Sequence, residues 1–98
     1  MLELLQQSVG REWWVRKEDP LTFSDSEPEP DLSVVKGTRD DYEEHPMTAA
    51  LVVEIAGNSV AEDREIASLY AAAGVQEYWI VNANARTVEV YRHPSGAG

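Results

Sequence analysis

Glu54 is the most conspicuous carboxylate in the chain, because it interrupts Ala49-Ala50-Leu51-Val52-Val53-Glu54-Ile55-Ala56, where every other side chain is apolar. A nearly continuous apolar run of this length marks a strand covered on both faces. A carboxylate stranded there is costly unless it is paired, protonated or bound to a metal. A second carboxylate, Asp31, opens an earlier strand candidate, Asp31-Leu32-Ser33-Val34-Val35-Lys36, directly after Glu27-Pro28-Glu29-Pro30. If the two strands are neighbours, both acids converge at one edge of a sheet. Two hard oxygen donors meeting in this way suit Mg2+, which takes one or two protein carboxylates and completes its shell with water and phosphate oxygens. Such a site serves phosphodiester hydrolysis, in which the metal activates water and steadies charge on the phosphate. The spacing leaves a structural alternative open. Pro-Asp is ordinary turn chemistry at a strand start, and Glu54 at the margin of a sheet has Arg64 or Lys36 as candidate ion-pair partners.

The elements that must position these acids follow from periodicity. Leu2, Leu5 and Val9 lie at helical spacing, which predicts a helix over 1–9 ended by Gly10. The first strands fall within 12–36: Glu12-Trp13-Trp14-Val15-Arg16-Lys17, rich in aromatic and β-branched residues, and then 31–36. The prolines between Ser24 and Pro30 make that stretch a loop. A polar connection, 38–47, carries Asp40, Asp41, Glu43 and Glu44 and reads as a solvated loop. The central strand is 49–56. A helix over 60–73 places Ile66, Leu69, Tyr70 and Ala73 on one stripe, with Asn58 or Ser59 at its start and Gly74 as a left-handed C-cap. Residues 77–91 read as a hairpin around Asn82-Ala83-Asn84-Ala85, and 93–98 as a tail. Tyr70 and Trp79 read as core, as does one of Trp13 and Trp14, since consecutive strand residues face opposite sides. His45 and His93, each before a proline, read as surface loop residues. The order is helix, three strands, helix, two strands. That is an α/β (α+β) fold with a mixed central sheet and flanking helices, one domain over 1–98.

Composition narrows the function classes. A chain of 98 residues, 43% hydrophobic and 27% charged, has enough apolar surface for one core. It contains no run of about 18 apolar residues that would span a bilayer, so no membrane partner is expected. Met1 to Gln7 lacks the basic flank and long apolar stretch of a secretory signal, and the cytoplasm is the expected compartment. With Cys 0, disulfides and thiolate metal sites are excluded. Eighteen acids against eight bases give a net charge of −10, with Glu18, Asp19, Asp25, Glu27, Glu29 and Asp31 crowded together. A protein that grips phosphates directly should be basic. A carboxylate cluster meets phosphates only through divalent cations, which reverse its local sign. There is no glycine-rich phosphate loop and no arrangement of Ser, His and Asp suggesting a nucleophilic triad.

The run Glu27-Pro28-Glu29-Pro30-Asp31-Leu32-Ser33-Val34-Val35-Lys36-Gly37 resembles the proline-aspartate strand of the Uma-two family of endonuclease-like proteins, part of the PD-(D/E)XK, restriction endonuclease-like superfamily. The likeness continues through Leu51-Val52-Val53-Glu54-Ile55, Asp63-Arg64, Leu69-Tyr70-Ala71-Ala72-Ala73-Gly74-Val75, Glu77-Tyr78-Trp79-Ile80-Val81 and Val88-Glu89-Val90-Tyr91-Arg92. The resemblance implies a restriction endonuclease-like core and a bacterial lineage. It implies Asp31 and Glu54 as catalytic, metal-binding acids for Mg2+ or Mn2+, Asp63 and Arg64 as supporting residues, and nucleic acid, DNA foremost, as partner.

Two departures bear on activity. The family usually places a lysine four residues after the helix aspartate, and here that position is Ala67. The only lysines, Lys17 and Lys36, both precede Glu54. Arg64 supplies charge there but cannot act as a base at neutral pH. A weakened or inactive nuclease is therefore one expectation; the alternative is a catalytically dead remnant of the same fold, serving at most as an interaction domain. Family members are also about twice this length, so the chain corresponds to their C-terminal portion, truncated at the N-terminus. Loss of a covering layer would leave Trp13, Trp14 and their apolar neighbours partly bare, which favours a homo-oligomer.

Overall fold

A computed structural model describes residues 6–8, 10, 12–23, 26–57 and 60–92. The predicted helix over 1–9 is represented there by Gln6 to Ser8 alone, and the 93–98 tail, with His93, and the caps Asn58 and Ser59 lie outside the described residues. Five strands form one mixed sheet: β1 (Trp13–Lys17), β2 (Leu32–Lys36), β3 (Leu51–Ala56), β4 (Glu77–Asn82) and β5 (Thr87–Arg92), in spatial order β1-β2-β3-β4-β5. Neighbouring strands run antiparallel except β3 and β4, which are parallel. Parallel neighbours need a crossover, and the two short helices α1 (Val60–Glu65) and α2 (Ala67–Ala72) supply it. No helix among the described residues is long and apolar enough to cross a membrane.

The sheet has one well-filled face. Val35, Val52, Ala56, Tyr78 and Ile80 project from it into a core completed by Leu21, Ala49, Tyr70 and Val75. Tyr70 comes from α2, and its ring lies 4.9 Å from that of Tyr78 and edge-on to Phe23 at 5.9 Å. Arg16 is buried on β1 with its guanidinium 5.0 Å over the Trp14 ring, and its Nε and Nη1 have no partner. The opposite face is buried at Val15, Leu32, Val34 and Val53. Apolar exposure falls at Met47, Ile55, Val88 and Val90, not at Trp13 and Trp14, which are both half-buried. Trp79, read as core, is also only half-buried: its strand neighbours Tyr78 and Ile80 take the filled face. Its indole N–H donates to Glu77 Oε1 at 3.1 Å.

The polar connection 38–47 contains one turn of 3-10 helix, Arg39–Asp41, closed by the Thr38 amide donating to Asp41 Oδ2 at 2.7 Å. The predicted single helix over 60–73 steps at Ile66, whose φ of −83 and ψ of 0 interrupt the α geometry. The cause is visible at the Asp63 carbonyl, which accepts a bond from the Tyr78 hydroxyl at 2.9 Å. A side chain entering the main-chain ladder in this way bends a helix. The C-terminal end follows expectation. Gly74 has φ +84, its amide donates to Ala71 O at 3.0 Å, and the Val75 amide donates to Tyr70 O at 3.1 Å. That pair of bonds is the Schellman arrangement, which needs a left-handed residue. Gly74→Ala is therefore expected to lower stability by about 1–2 kcal/mol, seen as a lower urea midpoint with an unchanged slope.

Candidate active site

The antiparallel register of β2 and β3 pairs Leu32 with Val53, so the next rung joins Asp31 to Glu54. Each acid is fixed by the other strand's backbone. The Asp31 amide donates to Glu54 Oε1 at 2.9 Å, and the Ile55 amide donates to Asp31 Oδ2 at 2.7 Å. The convergence predicted from the sequence is thus present, and it is reciprocal. One oxygen of each carboxylate is engaged with main chain, Glu54 through Oε1 and Asp31 through Oδ2.

The crossover brings the helical residues to the same place. Asp63, Ala67 and Tyr70 recur at four- and three-residue spacing and so share one stripe across the step. The Tyr70 hydroxyl donates to Glu54 Oε2 at 3.4 Å. Asp63 is close enough for its charge to act on Glu54. Ala67 packs half-buried against the core.

The sequence offered Arg64 or Lys36 as an ion-pair partner for Glu54, and the structure gives neither. Arg64 grips Glu89 of β5 with both nitrogens of its fork, Nε lying 2.9 Å from Oε1, and Tyr91 adds its hydroxyl to Glu89 Oε1 at 2.8 Å. This partnership holds the Glu89 carboxyl well below the usual range, through the bonds from Arg64 and then Tyr91. Lys36 is exposed at the end of β2. Among the described residues the ion pairs are His45–Glu27, Arg64–Glu89 and Arg92–Glu77, and none reaches Asp31 or Glu54. His45 stands exposed, as expected of a loop residue.

Among the described residues, no cation pairs with Glu54. Burial pushes Glu54 up to about 7; the Asp31 amide opposes this, and the charges of Asp31 and Asp63 add to it. Burial, followed by the Glu54 carboxylate, also raises the Tyr70 and Tyr78 phenols. No group of three or more His, Asp or Glu side chains among the described residues is arranged to hold a metal. The two acids that the sequence singles out, Asp31 and Glu54, stand as a pair. Two hard carboxylates with uncompensated negative charge fit Mg2+ or Mn2+, which bind through one or two carboxylates and keep several waters. Of the residues near the site, reading the sequence assigned Tyr70 to the core alone and missed its hydroxyl contact. The spacing of Tyr70 from Asp63 was the available signal.

With this geometry in place, comparison with known proteins is informative. Residues 2–98 match the Uma2 family, described as "Putative restriction endonuclease". The chain belongs to the Uma2 family. A similar solved structure is that of a "putative nuclease belonging to DUF820" from Anabaena variabilis, with a TM-score of 0.73 and 26% sequence identity. The likeness covers 86% of this chain and 51% of that one, so the chain spans about half the length of its structural relative. No curated protein matches the sequence. The α+β fold, with its mixed five-stranded sheet, is the fold of this relative, and it is the class expected from the Uma2 likeness.

The raised Glu54 value sets a direction for pH dependence. Between about 4.5, the ordinary value, and about 7, the folded chain keeps a proton on Glu54 that the unfolded chain has released. Its contribution therefore makes stability fall as pH rises through that window. Glu54→Gln is expected to remove this part of the slope, so the variant should gain melting temperature over the parent at pH 8 but not at pH 4.5. Equal differences at both pH values would contradict the assignment.

Proposed function

We propose that this chain carries the metal-binding acids of a divalent-cation-dependent nuclease site that hydrolyses phosphodiester bonds, with DNA as the expected substrate. The observation that carries the reading is the reciprocal Asp31–Glu54 lock, which presents two carboxylates side by side with no ion-pair partner among the described residues. Asp31 and Glu54 would hold Mg2+ or Mn2+. When bound, the cation activates water and offsets charge on the phosphate. It also makes an acidic surface compatible with a polyanion. The chain's own residues contribute placement: main-chain amides fix both acids, and Asp63 adds negative potential.

Ala67 governs how much activity to expect. It lies four residues after Asp63 and three before Tyr70, where the family resemblance implies a lysine. Arg64 does not substitute, being committed to Glu89. A group that stabilises developing charge typically contributes a factor of about 10²–10⁴, so the unmodified chain should cut weakly. The same residue favours a second reading, in which the fold persists as a remnant without catalysis.

Nicking of supercoiled plasmid in Mg2+ and in Mn2+ separates the two. The parent chain should nick slowly, Ala67→Lys should nick about 10²-fold faster or more, and Glu54→Gln should not nick. If all three are folded and none cuts, the remnant reading holds. A second measurement does not depend on turnover: Mn2+ should raise the parent's melting temperature more at pH 8 than at pH 5, because the cation competes with the proton on Glu54. Glu54→Gln should lose that gain.

A further inference from the structure

We propose, building on the metal-site reading above, that Tyr70 is a positioning residue for Glu54: its hydroxyl holds the carboxylate in the orientation that faces Asp31 and a bound cation. Tyr70 is 1% exposed. A buried hydroxyl needs a partner, and the one it has is Glu54 Oε2. Nothing else about this position calls for a phenol. Phenylalanine would fill the same space between Phe23 and Tyr78 and bury the same ring.

The geometry gives the hydroxyl a defined task. The Asp31 amide takes Glu54 Oε1 and Tyr70 takes Oε2, so the carboxylate is held at both ends by donors on different elements, β2 and α2. Each donor is itself anchored. The Asp31 amide sits beside the β2–β3 ladder, and the Tyr70 ring is clamped edge-on by Phe23 and stacked at 36° on Tyr78. Ala67, one turn earlier on the same stripe, has no donor to offer, which leaves the orientation of Glu54 on the helix side to Tyr70.

Tyr42 is the control. Its half-buried ring lies beside Trp14, and its hydroxyl donates to the Lys36 carbonyl at 2.6 Å, at the end of β2 away from Asp31. Loss of a tyrosine hydroxyl remote from the acids should leave Glu54 undisturbed. Loss of a positioning hydroxyl should not.

The test uses the whole chain and two readouts. Mn2+ affinity is followed by electron paramagnetic resonance titration, and order at the Glu54 side chain by 13C relaxation of its methylene groups in metal-free protein. Loss of an outer partner of a metal ligand typically costs about 10–100-fold in affinity. Tyr70→Phe should therefore weaken Mn2+ binding by about tenfold or more and loosen the Glu54 methylenes, while Tyr42→Phe changes neither. Should Tyr70→Phe fail to fold, the unmodified chain still decides: on Mg2+ addition the Tyr70 13Cζ resonance should move and that of Tyr42 should stay. A Tyr70→Phe variant with unchanged Mn2+ affinity and unchanged Glu54 order overturns the proposal, as does a Tyr70 resonance indifferent to Mg2+. If the parent binds no Mn2+ at all, the metal reading falls by itself. Glu54 order in Tyr70→Phe then decides positioning alone, loosening supporting it and no change overturning it.

Discussion

Glu54 lies half-buried in a central strand with no ion-pair partner among the described residues, and the surrounding structure is organised by that carboxylate. Its solvation is replaced by directed donors, one from the backbone of the neighbouring strand and one from a buried phenol. Donors of that kind stabilise a charge only when they are held in place. The antiparallel β2–β3 register supplies the first. The second arrives by a longer route: parallel pairing of β3 with β4 demands a crossover, and the crossover is the helical segment that carries Asp63, Ala67 and Tyr70 across the filled face.

The second charged feature keeps the first one uncompensated. Arg64 lies one residue from Asp63, yet its guanidinium goes to Glu89 on the outer strand, where Tyr91 also bonds. This ties α1 to β5 and removes the nearest cation from the acids. An exposed ion pair adds little stability by itself. Its larger effect is on charge distribution: Arg64 is engaged with Glu89, and the charges of Asp31 and Asp63 add to the burial that raises Glu54.

Much of this was legible in the sequence because it rests on local patterns. The lone acid in Leu51-Val52-Val53-Glu54-Ile55, the aspartate after the prolines and the glycine at position 74 each announced their place, and the structure puts them there. What escaped depended on through-space geometry. The step at Ile66 arises because Tyr78, fifteen residues along the chain from Asp63, reaches its carbonyl. No helical periodicity encodes such a bond. The same holds for Arg64, whose choice of Glu89 over Glu54 follows from which strand lies beneath α1. Tyr70 was read as core correctly but incompletely, since hydrophobic spacing accounts for its ring and says nothing of its hydroxyl. Trp79 was misplaced because a two-residue alternation cannot tell which face of a strand the helices will cover.

The Gln6 side chain gives the sheet a sidedness. Its amide nitrogen donates to the Trp13 carbonyl at 2.8 Å and its oxygen accepts from the Val15 amide at 2.9 Å. A single primary amide thus stands where a neighbouring strand would, covering two of the outer hydrogen-bonding groups of β1. Unpaired strand margins are templates for unwanted pairing, and this margin is partly blocked near its start by one residue. On the far side β5 carries exposed Val88 and Val90, with no comparable side-chain cover among the described residues. Among the described residues, the two margins of the sheet therefore differ: a side-chain amide occupies part of the β1 margin, and none does so along β5.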